Sequence, residues 1–150
     1  MTSPSRILIG IGVLVLAGLA TAAGQRSSHT GDRKVHRAII EVTAEAAPQW
    51  EAVLNNVENL QKAFAPEPTE VEVLAHGKGL AMLQKTNAAQ SERISRIAAS
   101  GVKFAACENT RRRMKVQKSD LFDFVVTVDS GVAEVVRKQE AGWAYVKGGG

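Results

Sequence analysis

The amino-acid sequence predicts an α/β domain, a three-layer sandwich with a mainly parallel sheet of about five strands. Short apolar runs alternate with segments of helical periodicity from residue 35 onward, and parallel neighbours in a sheet need crossover connections of this kind. The length of 150 residues is typical of one domain. Hydrophobic residues make up 45% of the chain and charged residues 23%, a balance that allows a buried core.

The first predicted elements are a strand, a helix and a second strand. Residues 36–42 form a short extended apolar run, which we assign to the first strand. Pro48 suits the first turn of the following helix, and Pro66 ends that helix. The apolar residues between the two prolines recur at helical spacing: Trp50, Val53, Leu54, Val57, Leu60 and Phe64. Alternation in residues 71–75 predicts the second strand.

Two glycines end the second strand, and a short helical turn over residues 80–85 is expected after them. Asn87, with Gln90 three residues later, resembles a capping box for the next helix. Gly101 fits as the C-terminal cap of that helix. The segment therefore continues the alternation of strands and helices.

The remaining predicted elements are two strands, two helices and a last strand. The strands cover residues 102–107 and 124–128, and the helices cover 110–116 and 131–140. Residues 143–146 form the last strand. Because 102–107 and 124–128 are the runs richest in apolar residues, we expect them at the centre of the sheet.

The N-terminal residues 1–24 have a different character from the rest. Arg6 precedes an apolar run from Ile7 to Ala23, which contains an Ala-x-Ala site at Ala20-Thr21-Ala22. These are the parts of a secretory signal peptide. The alternative is an uncleaved membrane anchor, since the run lies at the lower length limit for a span. Either hypothesis exports the following residues, and we expect a periplasmic location, with membrane contact only if the segment stays uncleaved.

The exported part divides into three regions. Residues 25–34 are polar and predict a flexible linker, residues 35–147 form the domain, and 148–150 are a glycine tail. The formal net charge is +4, with 15 acidic residues spread among 19 basic ones. Without a clustered basic face, nucleic-acid binding is not expected.

Cys107 is the sharpest candidate for chemistry, because it is the only cysteine of an exported domain and has no disulfide partner in the chain. It leaves a predicted strand just before a helix whose cap would be Asn109 or Thr110. The helix N-terminus and the arginines that begin at Arg111 would lower the thiol pKa and favour a nucleophilic thiolate. The alternative is a small buried apolar side chain that ends the strand. The arginines also allow two interpretations, an anion-binding cluster or a solvated face.

His76 and Ser130 are the other polar residues that follow predicted strands. His76 could transfer a proton or orient a ligand, although a polar residue in a turn is the alternative. Ser130 is interpreted as a helix cap. No spacing of His, Cys, Asp and Glu in the sequence is typical of a metal site, and no nucleotide-binding or serine-nucleophile motif is present. We therefore expect neither a metal nor an organic cofactor.

Four short motifs together resemble the DsrE/DsrF-like family, from about Val35 to Lys147. They are Ala75-His76-Gly77-Lys78-Gly79-Leu80, Ala106-Cys107-Glu108-Asn109-Thr110, Ser130-Gly131-Val132 and Gly142-Trp143-Ala144-Tyr145. The resemblance implies a mainly parallel α/β fold, assembly into homo- or hetero-oligomers, and sulfur handling in which a cysteine holds sulfane sulfur as a persulfide. Cys107 stands at that position. Two departures are Asp129, where many relatives have proline, and the arginines at 111–113 in place of a less charged helix start.

The leading functional hypothesis is a sulfur carrier. Cys107 would accept sulfur from a donor protein and pass it to an acceptor protein, and His76 would assist proton transfer. Arg111 and the groups around it, Asn109, Thr110 and Ser130, would bind the anionic sulfur. A second hypothesis is a non-catalytic, oligomeric module that binds a small anion or a partner protein. A third is a structural partner held at the membrane by an uncleaved N-terminus.

Overall fold

The computed structural model describes residues 34–148. The predicted signal or anchor, most of the predicted linker and the last two glycines lie outside the described residues. Five strands are formed within them: β1 (His36–Val42), β2 (Thr69–Ala75), β3 (Lys103–Cys107), β4 (Val126–Val128) and β5 (Ala144–Gly148). The α-helices of the same part are α1 (Ala47–Phe64), α2 (Ser91–Ala99), α3 (Glu108–Arg113) and α4 (Gly131–Glu140). Two 3₁₀ helices, Gly77–Leu83 and Lys118–Asp120, complete it.

The strands form one parallel sheet in the order β4-β3-β2-β1-β5. The predicted α/β class with about five mainly parallel strands is therefore confirmed. The expectation that residues 124–128 lie at the centre is wrong, since only Val126–Val128 pair with β3 and they form an edge. The apolar character of this segment has another cause: Phe124 stacks on Phe122 and meets the edge of Phe104. It covers the core instead of extending the sheet.

Apolar side chains pack on both faces of the sheet, which gives the three layers. The larger cluster joins α1 and α2 to one face, around Ile40, Val73 and Phe104. The smaller cluster lies on the other face, where Val135 of α4 and Trp143 pack against Ile39, Leu74 and Ala105. Successive residues of β1 point to opposite faces, so the strand is buried on both sides, as expected of an inner parallel strand.

A buried ion cluster ties α4 to the sheet. The Glu72 side chain of β2 is fully buried, and its Oε2 lies 2.9 Å from the Lys138 Nζ of α4 and 3.0 Å from the Lys103 Nζ of β3. The Lys138 Nζ also lies 3.9 Å from the centre of the Trp143 ring. A buried carboxylate is costly unless it is paired, and the two ammonium groups compensate its charge. The Lys138 pair links α4 to β2 across the sheet face.

The short connecting elements differ from the sequence prediction. The expected turn at 80–85 is the 3₁₀ helix Gly77–Leu83, and the expected helix at 110–116 begins and ends earlier, as α3. The predicted capping box is wrong, because α2 begins at Ser91. The Asn87 side chain instead donates to the Met82 carbonyl, and the Gln90 side chain donates to the Ala47 carbonyl. Gly148, predicted as the start of the glycine tail, is the last residue of β5 and pairs with Val42.

Among residues 34–148, none of the helices combines the length and the apolar character that a bilayer span requires.

A close backbone approach at Gly79 yields the first prediction. A Cβ atom at this position would lie 2.2 Å from the carbonyl oxygen of Val42, at the end of β1. Gly79→Ala must therefore push the 3₁₀ helix away from β1, and we expect a loss of stability of about 1–3 kcal/mol. Urea unfolding measures it. Lys78→Ala is the matched control, since that side chain is 78% exposed and its removal should change stability little. Equal midpoints for Gly79→Ala and wild type would contradict the prediction.

Candidate functional site

Polar side chains from several strands meet at the carboxyl edge of the sheet. Glu41 lies near the end of β1, His76 directly follows β2, and Cys107 is the last residue of β3. The backbone N–H of Asn109 donates to the carbonyl of Asp129, which joins the end of β3 to the end of β4. Because the strands are parallel, their carboxyl ends share one edge of the sheet, where open α/β sheets bind ligands.

Cys107 caps α3 with its own side chain. The strand passes into the helix without a loop, so Cys107 occupies the N-cap position and its Sγ accepts a hydrogen bond from the Thr110 N–H, with 3.4 Å between Sγ and N. The sequence suggested Asn109 or Thr110 as the cap, and both instead lie inside the helix. The residue is 5% exposed. The thiol is thus a buried group with a hydrogen-bonding role.

The surroundings of Cys107 lower its pKa. Burial alone raises the pKa of the thiol, but several hydrogen bonds that favour the thiolate outweigh burial. They come from the hydroxyl of Thr110 and from the backbone N–H groups of Thr110, Gly131 and Asn109. Both alternatives of the sequence analysis therefore apply to Cys107. It is buried like a core side chain, and its thiol has the lowered pKa that is expected of a nucleophile.

Thr110 links the thiol to the segment that follows β2. Its side chain is buried, and its hydroxyl accepts a hydrogen bond of 3.1 Å from the Gly77 N–H. Because the hydroxyl oxygen accepts from Gly77, its proton is available to the sulfur of Cys107. Thr110 thus lowers the pKa of the Cys107 thiol through both its side chain and its backbone N–H.

His76 is held by a carboxylate. Its Nε2 lies 2.6 Å from Oε1 of Glu41, and the Tyr145 hydroxyl donates to Oε2 of the same carboxylate over 2.5 Å. Burial raises the pKa of Glu41, but hydrogen bonds from Tyr145 and His76, and the positive charge of His76 in its protonated form, outweigh it, so the pKa is lowered and the carboxylate is ionised. Its charge and hydrogen bond in turn raise the pKa of Tyr145.

Glu41 and Tyr145 were not identified from the sequence. One signal was present, since Glu41 is the single charged residue in the apolar run Ala38-Ile39-Ile40-Glu41-Val42. A carboxylate at the end of a buried strand is unusual enough to mark a site. No sequence pattern linked it to Tyr145, which lies 104 positions further along the chain.

Gly131, the first residue of α4, packs against His76. A Cβ atom on Gly131 would lie 3.0 Å from both Cβ and Cγ of His76. Its backbone also helps to lower the pKa of the Cys107 thiol. The imidazole and the thiol belong to one site because His76 and Cys107 directly follow Ala75 and Ala106, which pair with each other on neighbouring parallel strands. A side chain there would separate the helix start from His76, which explains the need for glycine.

Ser130 and Asp129 fix the start of α4. The Ser130 Oγ accepts from the Ala133 N–H at 3.5 Å, so the predicted helix cap is present. Asp129 pairs with Arg137 one and a half turns into α4, which lowers the pKa of Asp129. Asp129 thus anchors the start of α4, the helix against which His76 packs.

Arg111 of α3 does not turn a free charge toward the sulfur. The Arg111 guanidinium donates to both carboxylate oxygens of Glu108 and to the Val116 carbonyl. Arg112 donates to the side chain of Asn109. Because α3 begins at Glu108, the arginines occupy its last turn, where the helix dipole favours cations. The predicted helix 110–116 would have put them in its first turn, and that placement is wrong; Arg111 instead forms a locally neutral pair with Glu108.

Two other features of the described residues bear on ligand binding. Residues 34–148 contain no group of three His, Cys, Asp or Glu side chains arranged to hold a metal ion. A surface cavity of about 310 Å³ lies between α1 and β5 and shares no lining residue with the site. Asn56, Asn59, Leu60, Ala63 and Val146 line it.

Comparisons with known proteins agree with this architecture. The model of the DsrE/DsrF-like family matches residues 37–147. A solved structure of a protein of unknown function from Methanobacterium thermoautotrophicum superposes with a TM-score of 0.71 and is 30% identical. The match covers 75% of this chain and 98% of that protein. No protein of curated function matches the chain.

The hydrogen bonds of Thr110 yield the second prediction. Thr110→Val removes the hydroxyl that favours the thiolate, so we expect the pKa of Cys107 to rise. In wild type the rate of alkylation by iodoacetamide should increase with pH around a midpoint below about 8.5, the value for free cysteine. The variant should move this midpoint upward. Thr110→Ser keeps the hydroxyl and is the matched control. An unchanged midpoint in Thr110→Val would show that the hydroxyl has no effect on the thiol.

Proposed function

The chain belongs to the DsrE/DsrF-like family, and from this membership we propose that it is an exported sulfur carrier that holds one sulfane sulfur as a persulfide on Cys107. The family implies a function related to sulfur transfer, and the chain has one cysteine. The observation that carries the proposal is the environment of that cysteine. Hydrogen bonds from Thr110 and two neighbouring backbone amides favour the ionised sulfur and lower its pKa.

The proposed reaction exchanges sulfur–sulfur bonds. The Cys107 thiolate attacks the outer sulfur of a donor persulfide R–S–SH, a bond forms between the two sulfurs, and the bond inside the donor breaks. R–S⁻ leaves, and Cys107 carries –S–SH. Attack by an acceptor thiolate on the outer sulfur then reverses the sequence and regenerates Cys107. The exchange is balanced in atoms and electrons, and it uses neither a metal nor an organic cofactor.

The surrounding groups have distinct roles in this proposal. The donors that favour the thiolate, from Asn109, Thr110 and Gly131, also stabilise the negative charge of an ionised persulfide. Ser130 acts through the helix start that it caps. His76 receives and returns the proton. Arg111 contributes no free positive charge, because Glu108 neutralises it.

Partners and location follow from the same proposal. The sulfur donor and acceptor are proteins with reactive thiols, and the exchange takes place in the periplasm. The support for export is the N-terminal sequence, with Arg6, the apolar run and Ala20-Thr21-Ala22.

Mass spectrometry tests the carrier directly. Incubation of the purified protein with polysulfide should add the mass of one sulfur atom, and dithiothreitol should remove it. Cys107→Ser should take up none, because the chain has no other cysteine. An unmodified wild-type mass under these conditions would overturn the proposal.

A second candidate function is a non-catalytic, oligomeric binding module, and the surface of α4 favours oligomers. Val132 is 63% exposed, Val136 is 49% exposed one turn later, and Tyr145 on the adjacent strand is 41% exposed. A second copy of this chain is the proposed occupant of that face. This candidate predicts that Cys107→Ala retains the oligomer and its ligand, whereas the carrier requires the sulfur.

Sedimentation tests the proposed oligomer. Replacing Val132 and Val136 together by lysine puts two charges on the apolar stripe, so we expect the variant to sediment as a monomer and wild type as an oligomer. Asn59→Lys adds a charge to an exposed position of α1, on the opposite face of the sheet, and should leave the oligomer intact. A monomeric wild type at micromolar concentration would contradict the assignment of this face.

A further inference from the structure

Glu41 has both carboxylate oxygens engaged by side chains that come from distant parts of the sheet. Oε1 lies 2.6 Å from Nε2 of His76, and Oε2 accepts from the hydroxyl of Tyr145. The side chains of His76 and Glu41 are 18% and 21% exposed. The carboxylate is thus held at two points and cannot rotate without breaking one of the bonds.

The position of the Glu41 carboxylate is unfavourable for the stability of the fold. Glu41 lies in β1 between Ile40 and Val42, which are both fully buried, and it shares its face of the sheet with Ile39. A carboxylate in such a strand loses hydration that its partners must replace, and an apolar residue would avoid the loss. The retained carboxylate ends at an imidazole beside the thiol, because His76 and Cys107 directly follow the paired residues Ala75 and Ala106.

The carboxylate selects one form of the imidazole. Glu41 is ionised and can only accept, so Nε2 of His76 must carry a proton and donate it. In the neutral imidazole the lone pair is then on Nδ1. Among the described residues, Nδ1 has no hydrogen-bond partner, so it is the nitrogen that remains available for proton exchange.

We infer that Glu41, oriented by Tyr145, is a positioning residue that keeps His76 in its Nε2–H form and so assigns proton exchange to Nδ1. This inference rests on the proposed function for the source and destination of the proton. During loading, Nδ1 takes the proton of the Cys107 thiol, and the thiolate attacks the outer sulfur of the donor. Nδ1 then returns the proton to the departing R–S⁻, which leaves as R–SH.

Two measurements on the full chain test the inference, and Glu41→Gln is the variant of choice because it has the same size. Glutamine can accept from Nε2–H through its oxygen or donate to an unprotonated Nε2 through its nitrogen, so it no longer selects one form. Nitrogen NMR of the imidazoles, with His76 assigned by its loss in His76→Gln, should show the Nε2–H form in wild type and both forms in Glu41→Gln. The initial rate of sulfur loading from polysulfide should fall by about ten-fold or more, with the final extent unchanged.

A second His–Glu pair in the same sheet supplies the control. His36, at the opposite end of β1, lies 2.8 Å from Glu67 through the same Nε2. Glu67→Gln should change the nitrogen signals of His36 and leave both the His76 signals and the loading rate as in wild type. Tyr145→Phe is the further variant if Glu41→Gln does not fold, and it should lower the loading rate because Glu41 loses one of its two anchors.

The outcomes separate this inference from the proposed function. A wild-type loading rate in Glu41→Gln, or an unchanged Nε2–H form of His76 in that variant, would overturn the positioning role and leave the carrier intact. An Nδ1–H form in wild type would also overturn it. A wild-type protein that takes up no sulfur would overturn the carrier, and the NMR comparison would still decide whether Glu41 selects the form of His76.

Discussion

The hydrogen bond between the Thr110 N–H and the Cys107 sulfur is the interaction on which the rest of the site depends. It exists because β3 passes into α3 with no intervening loop, so that the thiol occupies the place of a capping oxygen. Cys107 also ends β3, whose last four residues are all buried, and this accounts for its low exposure. The cap position directs the Thr110 N–H at the sulfur, and this hydrogen bond helps to lower the pKa of the thiol in spite of its burial.

The start of α4 completes the site, and several separate contacts hold it in place. The ion cluster of Glu72 links α4 to the sheet, and the Ser130 cap and the Asp129 pair fix its first turn. Gly131 then packs against the imidazole of His76. The imidazole is in turn held from β1, through Glu41. Each chemical group of the site is thus held by a different element of the fold, so that packing defects far from the sulfur are expected to alter its reactivity.

Local sequence patterns were sufficient to predict much of the architecture. Alternation of apolar residues in 71–75 predicted β2, and apolar residues at helical spacing after Pro48 predicted α1. Each of these patterns lies within a single element. The order of the strands was less accessible, since the apolar run at 124–128 is equally consistent with a central strand and with a lid of aromatic side chains over the core. The capping box predicted at Asn87 does not form, because the Asn87 side chain donates to the Met82 carbonyl instead.

The sequence by itself determined the α/β class, the parallel sheet and the identity of Cys107 and His76 as the residues at strand ends, because these follow from periodicity and from polar residues that end apolar runs. Only the tertiary structure decided what surrounds them. It placed the sulfur in the cap of α3, paired Arg111 with Glu108, and joined His76 to Glu41 and Tyr145. Such contacts connect residues up to 104 positions apart, and they depend on the relative placement of elements that no local pattern encodes.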